Sequence, residues 1–525
     1  MVSRIIPDEA KGLAASRPIP SPTLGLNTRD HFTNLQPNEA REMINWIPDV
    51  GSCSGRPGYS LWCDIEPPDG VMVDELGQYW VDELGAYMST LSASATTLNA
   101  HPVGTLARHL SGASQKMIAA CNGKLFEVMG GASVQLATGY TNNVWSTQYF
   151  NGYLFGVNGV DTPWRYNGTA VVATGWTGPT LANLRTVNLV GERLWFSSDN
   201  TGDVYYGGSM LITGALTLFA ASQIADGGKC LGVFPWRDNT VMCYDTGQVL
   251  IYSGDPATTF SLVSKYYAPP LVAYDAAVEM GSELILMTTA GPISMEIVAA
   301  GLGFNLDALG NWGKIAPSWE KDCQLYGGNA GWFGKFINGL VYFNVPNGTN
   351  PSKQYIFNTR NQAWTTFNDL PIASMEVING DIYIGSCIES KVFNHSGNLD
   401  DHNHIILTAR PGYNYFDNAP NNKMFSRIKP NIFTDGNVLA QVGIDVDFVD
   451  SPFNGEIYDI GAASSGTPWG SPWGSPWGTL STSDPRWIGV AGKGRAASPI
   501  VKLYSRAKTV KWFSTDVLGR LMGPT

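Results

Sequence analysis

Asn122-Gly123-Lys124-Leu125-Phe126-Glu127-Val128 decides the fold, because it recurs. A two-residue turn followed by an apolar run returns at Asn151-Gly152-Tyr153-Leu154-Phe155-Gly156-Val157. It returns again at Asn338-Gly339-Leu340-Val341-Tyr342-Phe343-Asn344 and at Asn379-Gly380-Asp381-Ile382-Tyr383-Ile384-Gly385. Three further copies keep the form with other turn residues: Gly191-Glu192 before Arg193–Ser197, Arg237-Asp238-Asn239 before Thr240–Tyr244, and Gly281-Ser282 before Glu283–Met287. Asn and Gly accept the positive φ that a two-residue hairpin turn demands, so each copy reads as a β-hairpin.

The turns recur at a mean spacing of about 43 residues, the length of one four-stranded propeller blade. The returning strands carry aromatics suited to sheets packed face to face: Thr162–Tyr166, Asp203–Tyr206, Gln248–Tyr252, Gln354–Phe357 and Lys391–Phe393. The pattern predicts an all-β protein with a β-propeller-like domain of six or seven blades over 101–400. A β-sandwich with chance turn spacing is the alternative. The widest interval, between Gly281 and Asn338, is expected to hold an insertion around Gly301–Asp322.

Composition agrees with short strands and many turns: 59 Gly, 31 Pro and 11% aromatics. Charged residues make up only 15%, against about 25% in an ordinary soluble domain, so much of the surface is expected to be covered by partners. Net charge is −11 and uneven. From Leu480 onward there are 8 Lys/Arg and 2 Asp; of the 33 basic and 44 acidic residues in all, 25 and 42 remain for the rest of the chain. An acidic body does not suit a protein that grips phosphates. Seven cysteines, an odd number without a Cys-x-x-Cys pair, read as reduced thiols. Met1–Ala10 lacks the apolar core of a signal peptide, and no 18-residue apolar run predicts a membrane-spanning segment.

Outside the repeats, 1–30 reads as an extended N-terminal arm and 31–100 as a segment packing on the propeller and on the C-terminal domain. Within the latter, Glu39–Trp46 is expected as a short helix stopped by Pro48. Alternating strands at 404–410, 423–430, 439–448, 499–505 and 510–517 predict a separate β-sandwich or barrel over 401–525. It carries a Trp-Gly-rich loop, 467–478, with three Pro-Trp-Gly units. Proline removes ladder donors, so this run is no interior strand. Trp469, Trp473 and Trp477 are candidate interface residues on a displayed tongue, the alternative being a loop folded on its own domain. Lys493 and Arg495 are the basic candidates for the same interface, the alternative being a solvated face.

The sequence has no P-loop, no Gly-x-Ser-x-Gly elbow and no His-Glu-x-x-His. Asp400-Asp401-His402-Asn403-His404 holds a His-x-His spacing, but at a domain junction where polar loops are ordinary. Asp445 and Asp447 alternate on one strand, which reads as a solvated face. Ser197–Gly202 is faintly like one Asp-box turn. No catalytic, metal or cofactor residue is therefore expected. A carbohydrate-binding or glycosidase-like propeller is the functional alternative, and cleavage would need two converging carboxylates.

Both ends of the chain carry a resemblance. Asn45-Trp46-Ile47-Pro48 followed by Arg56-Pro57-Gly58-Tyr59 resembles the N-terminal pattern of phage DNA-stabilisation proteins, the tail hub, nozzle or tail accessory factor family. The basic strand Lys423–Pro430, Gly443–Phe448, the Trp-Gly loop and the closing Thr509–Asp516 are similar to that family's C-terminal part. The resemblance implies a non-enzymatic virion protein, assembled in the host cytoplasm into a ring, usually a hexamer, below the portal and its head-to-tail adaptor. It implies retention of packaged double-stranded DNA, its passage without sequence-specific binding, and docking of needle, spike or fibre proteins. The Ser-Pro-Trp-Gly run has no counterpart in the family pattern.

Overall fold

The computed structural model describes residues 14–65, 101–111, 114–199, 201–305, 307–348, 351–452, 456–460, 482–483 and 486–522. The fold is all-β, built largely from four-stranded antiparallel sheets. Seven sheets follow one another along the chain, spanning 105–138, 146–173, 184–219, 230–267, 277–294, 333–370 and 372–394. Six of the seven turns read from the sequence join the first and second strands of a sheet, and Asn122-Gly123 joins the second and third strands of the first sheet. The four Asn-Gly pairs hold positive φ at both residues, as at Asn122 (50°) and Gly123 (68°). Gly191, Arg237 and Gly281 hold it at the first position.

The first strand of each sheet lies against the next sheet, and the seventh sheet returns to the first. Aromatic and branched side chains fill the spaces between sheets. Phe155, Trp176 and Phe196 pack between the second and third, and Trp195, Phe219, Tyr252 and Phe260 between the third and fourth.

Two sheets depart from the local pattern. The fifth has three strands, and the following segment forms helices α1 (Met295–Ala299) and α2 (Ala316–Tyr326), where the insertion was expected. Trp319 of α2 is fully buried and its indole donates to the Thr288 carbonyl at 2.7 Å. The seventh sheet takes its fourth strand from far upstream: Ser60–Asp64 pairs antiparallel with Lys391–Asn394.

The N-terminal segment is threaded through the rest of the chain. Among the described residues, five strands precede the first repeated sheet: β1 (Ala14–Pro20), β2 (Ala40–Ile44), β3 (Trp46–Asp49), β4 (Ser52–Gly55) and β5 (Ser60–Asp64). The helix expected at Glu39–Trp46 is not formed. Its residues are β2, which bridges Thr366 of the sixth sheet to the strand Ile406–Pro411. Burial of Ala40 and Met43 in this pairing outweighs a helix preference worth tenths of a kcal/mol per residue.

Beyond β2 the sixth sheet continues through Ile406–Pro411, Ala497–Tyr504, Val438–Val446 and Ile457–Ile460. A second sheet combines β3, β4 and β1 with Val510–Leu521, Lys423–Thr434 and Ile488–Gly494. The two enclose Met43, Trp46, Leu407, Ile428, Ala440, Val501, Trp512 and Val517, which belong to one core with the fourth, fifth and sixth repeated sheets. All seven cysteines are free thiols, five of them buried.

Candidate functional site

Two places gather polar chemistry: the axis around which the seven sheets succeed one another, and the junction where the two chain ends meet. Around the axis lies a cavity of about 470 Å³ to which every sheet contributes, through Thr105, Ser146, Asn188, Phe234, Glu279, Lys335 and Glu376. A second cavity of about 350 Å³ shares Gly104, Val144, Gly331 and Ala373 with it.

Asp275 lines the larger, axial cavity. It has φ 58°, and its carboxylate accepts from Asn188 Nδ2 at 2.7 Å and Ser146 Oγ at 2.8 Å. Burial holds it above the usual carboxylate range, with the two hydrogen bonds opposing. Glu279 is raised as well, by burial and then by the Asp275 charge. Opposite them Lys335 Nζ contacts Glu376 at 2.7 Å and the Met375 carbonyl at 3.0 Å. Arg185 lies over the Tyr274 ring and donates to the Asn158 carbonyl. The cations on the axis are thus engaged by protein groups.

The junction is organised by Arg56, 2% exposed. Its guanidinium meets the Asp400 carboxylate through two bonds of 2.8 and 2.6 Å. Its remaining donors reach Asn45 Oδ1 (2.8 Å) and the carbonyls of Pro57 and Asn368. Burial raises Asp400 and the guanidinium opposes that shift. Beside it, buried His395 lies 2.8 Å through Nδ1 from the Gly58 carbonyl, so Nδ1 carries the proton. Burial, then the Arg56 charge, pulls its pKa down to about 4. A Cβ on Gly58 would stand 1.8 Å from the Leu399 carbonyl oxygen, which no side chain can do. Trp46 and Trp512, one from each end of the chain, pack with ring centroids 5.6 Å apart.

Of the candidate interface residues, Trp469, Trp473 and Trp477 lie outside the described residues. Lys493 is exposed on the strand Ile488–Gly494, opposite Met424. Arg495 is exposed just beyond it, its backbone N–H bonded to Asp447 Oδ1 at 2.7 Å. The two are neighbours on one edge, apart from the axial cavity.

The reading of Asp445 and Asp447 as a solvated face is corrected. Asp445 is fully buried, paired with Arg410 at 2.9 Å and with Arg41, and it accepts the Ser451 N–H. Asp447 lies in the turn after the strand, with φ 47°. The basic partners come from strands remote in sequence, which periodicity does not reveal. In Asp400–His404, Asp400 is the partner of Arg56 while His402 and His404 are exposed on a hairpin. Among the described residues no three His, Cys, Asp or Glu side chains are grouped to hold a metal, and no helix is long and apolar enough to cross a membrane.

No family model and no curated protein matches the chain. Solved structures resemble it distantly. The WD40 β-propeller domain of Doa1 is 12% identical, with 57% of this chain and 95% of that chain covered and a TM-score of 0.35. The computationally designed Ika8 protein is 9% identical, with coverage of 57% and 98% and a TM-score of 0.35. BamB from Moraxella catarrhalis is 10% identical, with coverage of 67% and 93% and a TM-score of 0.34. At these TM-scores the likeness carries no argument about function.

Proposed function

We propose that this chain is a structural protein of a phage tail. Copies form a ring, a hexamer in this reading, below the head-to-tail adaptor. The ring retains packaged DNA, lets it through at ejection and docks needle or fibre proteins. Its scaffold in this reading is a seven-bladed β-propeller joined to a β-sandwich. The propeller reading is supported by seven successive sheets, the first strand of each lying against the next sheet and the last sheet returning to the first.

One observation carries the functional reading. The residues bearing the resemblance at the two ends of the chain converge in one unit. Trp46 packs on Trp512, Arg56 of the Arg-Pro-Gly-Tyr stretch clamps the junction, and Lys423–Pro430 pairs with Thr515–Leu521. DNA passage would need a lumen without clustered free cations, since counterion release drives phosphate binding; the net charge of −11 suits that. The test is the mass of the purified chain together with antibody labelling of phage particles. A ring-sized species and a label at the tail are expected. A monomer absent from virions would end the proposal.

The axial cavity, with Asp275 and Glu279 facing it, favours carbohydrate binding as a second reading. Binding on a glycan array that is lost in Asp275→Asn would support it; no binding to any glycan would remove it.

A further inference from the structure

The strand register assigns the side chains of the second C-terminal sheet to two faces, and only one is buried. Between Lys423–Thr434 and Val510–Leu521 the pairs Ile428–Val517, Ile432–Trp512 and Thr434–Val510 point into the core. The alternate pairs face out: Met424–Arg520, Arg427–Leu518, Lys429–Asp516 and Phe433–Lys511. Lys493, on the neighbouring strand Ile488–Gly494, stands opposite Met424. These three strands carry six basic residues and one acid. Lys423 is buried, its ammonium held by the carbonyls of Asn418, Asn421 and Arg495. Asp516 engages Lys429 at 3.0 Å. The other four, Arg427, Lys493, Lys511 and Arg520, are exposed on the outward face, with no carboxylate partner among the described residues. Just past the strands, Asp435 and Asp447 are occupied by backbone, accepting the N–H groups of Thr509 and Arg495 at 2.9 and 2.7 Å.

The same face exposes aromatic rings. Phe433 (41%) and Phe513 (44%) stand on adjacent strands with ring centroids 6.3 Å apart. The Lys429 ammonium lies over the half-buried Trp487, 5.4 Å from its ring centroid. Met424 and Phe433 mark the two ends of the face, so cations and rings are spread over roughly 30 Å of strand. Unpaired cations alone suit any polyanion. Cations interleaved with exposed rings on an open sheet suit single-stranded nucleic acid, whose phosphates need charge and whose unstacked bases need a flat apolar partner. A duplex keeps its bases stacked and would leave both rings in water. An acidic peptide meets the charges but offers the rings no base to stack.

We propose that the outward face of the Lys423–Thr434/Val510–Leu521 sheet binds single-stranded DNA, with phosphates on Arg427, Lys493, Lys511 and Arg520 and bases stacked on Phe433 and Phe513. The inference goes beyond the tail reading and does not depend on it. The test uses the full chain and fluorescence anisotropy of a labelled oligo(dT) of about 20 nucleotides, long enough to span such a face. A duplex of the same length and polyglutamate are the comparison ligands. One variant neutralises the charges (Arg427→Gln, Lys493→Gln, Lys511→Gln, Arg520→Gln). A second removes the rings (Phe433→Ala, Phe513→Ala). Circular dichroism and thermal melting show whether each folds. Lys493→Gln and Lys511→Gln alone, both at exposed positions, serve if the fourfold variant does not.

Four neutralised phosphates predict that log affinity falls against log salt with a slope of about −2.8, a loss of about 50-fold between roughly 50 and 200 mM. The fourfold charge variant is expected to abolish binding, and each single lysine variant to lower the slope by about 0.7. The ring variant is expected to weaken binding about tenfold or more while leaving the slope unchanged, a separation that loss of folding would not produce. Absence of oligo(dT) binding at low salt overturns the inference, as does binding that neither variant set moves. Duplex bound as tightly as oligo(dT), with no effect of the rings, assigns the face to phosphates alone and overturns the single-strand claim. Polyglutamate bound as tightly as oligo(dT) assigns the face to an acidic protein and overturns it as well. None of these results touches the ring reading, which the mass of the chain and the labelling of phage particles decide.

Discussion

Replacing Arg56 with Met should be among the most destabilising single changes in this chain. Arg56 keeps all its donors engaged: two to Asp400, one to Asn45 Oδ1, and one each to the Pro57 and Asn368 carbonyls. Methionine fills most of the volume but leaves the Asp400 carboxylate, 6% exposed, without its counterion. Breaking one side of a buried ion pair costs about 3–5 kcal/mol, a large part of the roughly 5–15 kcal/mol that holds a typical domain folded. The change has a location as well as a size. Arg56 sits between β4 and β5, so the strand that completes the seventh sheet should loosen first. Hydrogen exchange should show β5 and Lys391–Asn394 losing protection before the second to fourth sheets do. Urea unfolding followed by tryptophan fluorescence gives the magnitude. Adding Asp400→Leu to Arg56→Met should restore about half the loss or more, because the stranded charge is then gone. A loss below about 1 kcal/mol, or no recovery in the double variant, would refute the reasoning.

Acid should act at the same junction through His395, whose folded pKa of about 4 lies below the unfolded value near 6.5. The folded state then binds fewer protons, so this group's stabilising contribution is full above pH 6.5 and is lost as pH falls toward 4, roughly 3 kcal/mol in all. His395→Gln should flatten that part of the stability–pH curve, and an unchanged curve would exclude His395. Asp275 and Glu279, raised by burial, work in the opposite sense. Asp275→Asn, which keeps the geometry, should add stability at neutral pH in thermal melts, whereas a lowered melting temperature there would mean the charged form is favoured. Trp512→Ala should cost about 3–5 kcal/mol by opening a cavity against Trp46; a loss under 1 kcal/mol would show that the two ends do not share this core. Gly58→Ala should prevent normal closure of β5, read as protease cutting near residue 60, and wild-type resistance would deny the close approach to Leu399.

What the sequence disclosed, and what it hid, divides by range. Asn122-Gly123 and its six counterparts were legible because a hairpin turn is dictated by the φ tolerance of its own two residues. The alternating C-terminal strands were legible for the same local reason. The partner of Lys391–Asn394 was not, since β5 lies more than 300 residues away and its Ser60-Leu61-Trp62-Cys63-Asp64 is too short to carry a period. Ala40–Ile44 misled because its helix-like composition is overridden by two neighbouring strands. Asp445 looked solvated for want of Arg41 and Arg410, which only the fold brings to it. The axial group Asp275 sits outside the repeats' strands, in a linker where no spacing rule applies. Lys493 was legible as a basic outward residue, yet its row with Met424 and Arg520 appears only once three strands are in register.

Electron cryo-microscopy of the purified chain, and of the particles that carry it, tests the central claim most directly. The account predicts a closed ring of identical subunits at the tail, each with seven sheets around its own axis and β5 completing the seventh. Isolated monomers with no density in any virion, or a chain whose repeats lie in separate sheets, would contradict it.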